Sequence, residues 1–250
     1  MKKKLLKGAI LVSAAILLVV ASVLGTLAYL TSSSAVSNTF TVGNVGIKMY
    51  ETPVDSNGKK VVGAGLTSDG NSYHLQPGGR YDKDPTIIID ASSDQSYLFV
   101  KVRNDLRKVE ASAGEDGPNG NDGTYKTMFQ QVTENGWIFI GRTSNANVYV
   151  YKNFIGKDGV TENVEIFSEF MIGKDADISH SGAAKVTLSG FAIQTTGFKP
   201  DSETTTVTDL DAARAAWAAI GAEYDYEDTT IVGDTPLGKN DDVTPDPSGN

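Results

Sequence analysis

The chain contains two histidines, His74 and His180, and no cysteine. Without thiols there is no disulfide framework, thiol nucleophile, iron–sulfur cluster or Cys-based zinc site. A zinc peptidase of the common type carries two His one helical turn apart, with Glu between them. His74 is followed by Leu-Gln-Pro-Gly and His180 by Ser-Gly-Ala-Ala, and neither stretch is a helix with a second His. A zinc site built from His74, His180 and a distant carboxylate would need its third ligand from far along the chain. Two surface-loop histidines are the simpler reading.

Other reactive groups are also poorly arranged. Ser179-His180-Ser181 puts Ser beside His, but sequence neighbours rarely meet as nucleophile and base. There is no G-x-S-x-G elbow, P-loop or G-x-G-x-x-G string. The adjacent acids Glu227-Asp228 and Asp241-Asp242 lie in polar sequence, where carboxylates are ordinarily solvated. A glycosidase pair drawn from distant strands is a geometry that sequence leaves open. Glu115, Asp116, Asn119, Asn121 and Asp122 gather oxygen ligands in a Gly-rich loop, yet their spacing departs from the D-x-[DN]-x-[DN]-G calcium loop. No catalytic residue, metal ligand or cofactor is therefore assigned, and the chain reads as a non-enzyme.

Charge narrows the partners. Asp plus Glu number 31 against 22 Lys plus Arg, a net charge of −9. Nucleic acid demands a basic face, so it is not an expected partner.

Lys2, Lys3, Lys4 and Lys7 form a basic head, followed by an uncharged stretch from Gly8 to Leu30. A positive head, an apolar core and then small residues make a signal peptide. With Thr26 and Ala28 as the small residues, cleavage falls between Ala28 and Tyr29; a site after Ala21 would leave an apolar stub. The leader is then residues 1–28, and the membrane is met only through it. The alternative is a retained anchor, since the uncharged run is long enough to span a bilayer. Losing four lysines makes the mature chain more acidic still, which suits solubility outside the cell.

After the leader, short apolar runs alternate with turn chemistry. Strands are expected at Thr39–Glu51, Thr86–Ile89, Ser96–Arg103, Trp137–Arg142, Asn147–Lys152, Asn163–Met171 and Lys185–Thr195. Leu98, Val100 and Val102 share one face, opposite Tyr97, Phe99 and Lys101. Trp137 to Ile140 are apolar on both faces, which predicts a central strand. The alternation slips near Gly190, a sign of a bulge. Asn57-Gly58, Asn135-Gly136, Asp158-Gly159 and Gln76-Pro77-Gly78-Gly79 are turn signals. Strands at this spacing predict an antiparallel β-sandwich over residues 29–232.

One helix is expected at Asp209–Ile220, capped by Thr208 and stopped at Gly221, with Leu210, Ala213, Trp217 and Ile220 as the stripe that packs on the sandwich. The stretch 112–124 reads as a flexible insertion and 233–250 as a disordered acidic tail, both rich in Gly, Asn, Asp or Pro.

The junction GTLAYLTSSSAVSNTFTVGNVGIKMYE carries a resemblance. Tyr29-Leu30-Thr31, then Asn38-Thr39-Phe40-Thr41-Val42-Gly43-Asn44-Val45, resembles the leader and first strand of the TasA/camelysin (CalY) family of Gram-positive bacteria. Leu75-Gln76-Pro77-Gly78-Gly79-Arg80-Tyr81 and Ala192-Ile193-Gln194-Thr195 are similar in the same sense; Ser112 to Asp177 has no counterpart. The resemblance implies a jelly-roll-like sandwich, removal of the leader by a signal peptidase of the SipW type, and residence at the cell surface or in a biofilm matrix. It implies self-association, or association with other matrix and surface proteins, into fibres. There the segment Tyr29, Leu30, Thr31, Ser32, Ser33, Ser34, Ala35 and Val36 would complete the sheet of a neighbour by strand addition. Two other functions are compatible with the chain: a surface metallopeptidase of the camelysin kind, and a secreted carbohydrate- or protein-binding module.

Overall fold

The computed structural model describes residues 31–33, 36–42, 45–117, 123–156, 159–179, 184–198, 205–224 and 230–239. The chain is mainly β. Its strands are β1 (Thr31–Ser33), β2 (Val36–Val42), β3 (Ile47–Tyr50), β4 (Ser72–His74), β5 (Arg80–Asp82), β6 (Thr86–Ile89), β7 (Ser96–Asn104), β8 (Trp137–Arg142), β9 (Asn147–Tyr151), β10 (Glu162–Glu165), β11 (Glu169–Met171) and β12 (Val186–Gln194). Among the described residues two α-helices, α1 (Met128–Glu134) and α2 (Leu210–Tyr224), join them.

The largest sheet has the order β2-β12-β7-β9-β8. Its pairs are antiparallel except β2–β12, which is parallel. Against one face lie three smaller sheets, β10-β6-β3, β11-β5 and β1-β4. Period-2 alternation sets the packing. Leu98, Val100, Val102, Val186, Leu188 and Ala192 point toward Ile47, Met49, Ile87, Ile89, Val164, Phe167 and Phe170 of the facing layer. Tyr97, Phe99, Val148, Val150, Phe191 and Ile193 point the other way, onto α2. There Trp217 meets Phe99 and Phe191 at ring-centroid distances of 5.6 and 5.0 Å.

A sheet covered on both sides explains a strand read as central. The β8 run is apolar on both faces, yet β8 stands at the sheet edge. Trp137 and Phe139 join the sandwich core, while Ile138 and Ile140 join the helix layer. Two covering layers, not a central place, account for the pattern. The outer edge of β8 is met at Arg142, whose N–H donates to Gly233 O at 2.9 Å and whose carbonyl accepts from Val232 N at 2.8 Å.

The irregularity near Gly190 is real but one-sided. Against β7 the register of β12 is continuous. Against β2 it shifts between Ser189 and Gly190, with Asn38 as the extra residue. A Cβ on Gly190 would lie 3.2 Å from both Ile87 Cδ1 and Met49 Cε, so the missing side chain lets the two sheets close together.

Several boundaries move. Thr39–Glu51 divides into β2 and β3, and Asn163–Met171 into β10 and β11, because Ile166 and Phe167 are both fully buried and break the alternation. Helix α2 runs past Gly221 to Tyr224, and Asp209, not Thr208, caps it: its Oδ1 accepts from the N–H groups of Asp211 and Ala212. Helix α1 was not expected. Thr127 accepts from Gln130 N, and Gln130 reaches back to Thr127 N, a capping box written as T-x-x-Q.

Candidate functional site

The N-terminal strands join the body by main-chain ladders, β1 with β4 and β2 with β12. β1 pairs antiparallel with β4 in the register Thr31–His74, Ser32–Tyr73 and Ser33–Ser72. β2 pairs with β12 in parallel, from Val36–Leu188 to Val42–Ile193. The platform under β1 is firm. Tyr73 of β4 is buried, stacks edge-on against Tyr81 and Phe170 at 5.8 and 5.0 Å, and donates its hydroxyl to Asp82 O. Of the expected donor segment, Thr31, Ser32 and Ser33 form β1 and Val36 opens β2. Tyr29, Leu30, Ser34 and Ala35 lie outside the described residues, as does the Ala28 side of the cleavage site.

The other chemical candidates do not converge. His74 is exposed on β4, while His180 lies outside the described residues, with Ser181, Glu227, Asp228, Asp241 and Asp242. Of the acidic loop, Asn119, Asn121 and Asp122 also lie outside them. Glu115 accepts from the N–H groups of Ser112 and Lys174, and Asp116 from Gly123 N, so both carboxylates are engaged with backbone. Burial raises the Glu115 carboxyl, but those N–H groups and the nearby lysines outweigh it and hold the pKa low. Among the described residues no group of three or more His, Asp or Glu side chains is placed to hold a metal ion. Among them no helix is long and apolar enough to cross a membrane.

No protein-family model, curated protein or solved structure matches the chain.

Two buried carboxylates escaped the sequence reading. Glu51 follows β3 and Lys83 follows β5, 32 residues apart. Their side chains are fully buried, with Lys83 Nζ 2.5 Å from Glu51 Oε2. The other oxygen, Oε1, has no hydrogen-bond partner among the described residues. Both backbones are clamped. Glu51 exchanges two 2.9 Å hydrogen bonds with Thr67, and Lys83 N donates to Ser168 O at 2.9 Å. Burial pulls the Lys83 pKa down, against the opposing pull of Glu51 and Asp84. Beside the pair, Asp84 accepts from Thr52 N and Oγ1, each at 2.8 Å, and from Lys60 Nζ at 3.1 Å. Burial raises its pKa, but these contacts outweigh that and hold it low.

Glu110 lies at the far end of the sandwich core. Its Oε1 accepts from Tyr125 Oη at 2.8 Å and Met128 N at 2.6 Å, and its Oε2 from Asn104 Nδ2 at 3.0 Å. Burial raises its pKa against these donors. The group lines a small cavity of about 60 Å³ with Arg107, Val132, Tyr149 and Leu237. The stretch expected to be an open tail reaches this place. Leu237 N donates to Asn147 Oδ1, and Lys239 Nζ to the Glu110 carbonyl, both at 2.9 Å. Residues 240–250 lie outside the described residues.

Proposed function

We propose that this chain is a secreted structural subunit of a cell surface or extracellular matrix, and that copies of it join by strand donation. The observation that carries the reading is the attachment of β1 and β2. β1 pairs with β4, which has no other ladder partner among the described residues, and β2 forms the outer strand of the large sheet, each through main-chain pairing. Edge pairing is indifferent to whose chain supplies the strand. The same β1 and β2 can satisfy β4 and β12 of their own molecule or of a neighbour. The parallel β2–β12 ladder is the weaker kind per residue. The acidic composition and the leader pattern fit export, and the TasA/camelysin resemblance fits fibre assembly.

The energetics favour a concentration-dependent choice. Ordering a backbone residue costs ~1–2 kcal/mol. Each main-chain hydrogen bond returns about 0.5–1.5 kcal/mol net. Exchange of one copy's strand for another's changes few contacts, so mass action decides the outcome. Deletion of Tyr29 to Val36 yields a folded monomer that does not elongate, and Ser33→Pro weakens assembly by removing a ladder donor. Sedimentation and electron microscopy of the mature protein across a concentration series check this. Fibres formed equally by the deleted chain, or a monomer at every concentration, would overturn it.

A further inference from the structure

The geometry points to a covalent modification site: an intramolecular amide between Lys83 Nζ and Glu51 Cδ. An amine and a carboxyl oxygen stand 2.5 Å apart with both side chains sealed from solvent. Two features separate this pair from an ordinary surface salt bridge. The first is isolation. Exposed pairs in the same protein, such as Lys126–Glu134, keep about half their side-chain surface in water. A buried pair has no such hydration, and its charged form is costly to keep. The second is incomplete satisfaction: Glu51 Oε1 has no hydrogen-bond partner among the described residues.

Burial pulls the Lys83 amine toward its neutral, nucleophilic form, against the opposing pull of Glu51 and Asp84. The reaction is a condensation. The Nζ lone pair attacks Cδ, an N–C bond forms, a C–O bond breaks, and the departing hydroxyl leaves as water with a proton from Nζ. Nothing is oxidised or reduced, and no co-reactant is consumed. Effective molarity supplies the drive that free amines and acids lack, because the clamped backbones hold the two atoms together.

The link would close the segment that carries β4 and β5. That segment also holds the exposed apolar loop with Val61, Val62 and Leu66. It is the segment onto which β1 docks. A bond across its base would stop it from peeling away when pulled. The chemistry stands whether or not strands are exchanged.

The test is a peptide map of the unmutated full-length chain under denaturing conditions. The expected product is a branched tryptic peptide in which Met49–Lys59 is joined to Tyr81–Lys101. It is uncut after Lys83 and lighter by one water than its two parts. In Lys83→Arg the branch is absent and Met49–Lys59 appears linear, whether or not that variant folds. Recovery of Tyr81–Lys83 and Met49–Lys59 as free linear peptides from the folded, unmutated protein would overturn the proposal and leave a plain buried ion pair. Because the map is read on monomer, its failure leaves the assembly reading untouched.

Discussion

Glu51 and Glu110 are both carboxylates held inside one sandwich core, and they are held there by opposite means. Glu51 has a single side-chain partner, Lys83, and one unmatched oxygen among the described residues. Glu110 has three neutral donors spread over both oxygens. The difference lies in where the cost of burial falls. At Glu51 everything depends on one amine. At Glu110 the cost is divided among a phenol, an amide and a helix N–H, and the residual penalty appears as a raised pKa. Neutral donors satisfy the oxygens without cancelling the charge.

Removing the amine is the most damaging way to test this contrast. Lys83→Met leaves Glu51 buried without its partner, and loss of one partner of a buried pair costs about 3–5 kcal/mol. Urea denaturation measures it. The double variant Glu51→Leu, Lys83→Met recovers part of the loss, because no polar group is left stranded. At Glu110 the same kind of insult is milder. Tyr125→Phe removes the donor to Oε1 and the acceptor for Met171 N, for about 1–3 kcal/mol. A larger loss in Tyr125→Phe than in Lys83→Met would reverse the comparison.

The smallest effect lies in pH. The folded chain holds the Glu110 proton to a higher pH than the unfolded chain does. Through that window the folded state binds more protons, so its stability falls as pH rises, and it stays lower above the folded pKa. Glu110→Gln removes this titration. Thermal melts at a series of pH values then show the variant gaining on the unmutated protein as pH climbs out of the ordinary carboxylate range. Asp84 works the other way: its low pKa gives stability above the carboxylate range that is lost on acidification.

Much of the fold was legible because its causes are local. Leu98, Val100 and Val102 alternate with Tyr97 and Phe99, and the two sets do bury on opposite faces. The Ala-rich helix and its Trp217 stripe announce themselves by period. Where several layers act at once, local reading fails. The double-sided burial of β8 looked like centrality. The short strands β4 and β5 hold only one buried side chain each, Tyr73 and Tyr81, too few to make a pattern. The T-x-x-Q box at Thr127–Gln130 is the local signal for α1, whose seven residues are too few to show a helical period. Glu51, Lys83 and Glu110 had no signal at all, because their partners are set by tertiary contact across 32, 15 and 18 residues.

The parallel pairing of β2 with β12 has a consequence in time. Of the described strands β1 and β2 are made first, and β12 comes after the rest of the large sheet. Through synthesis the first strand therefore waits for its partner, while β7, β8 and β9 can already fold by neighbouring contacts. Long-range pairing of this kind is the slow step in assembling a β fold. Until β12 arrives, β2 has no ladder partner of its own chain among the described residues. Under the strand-donation proposal that interval, together with protein concentration, sets how often a neighbour's β12 is met first.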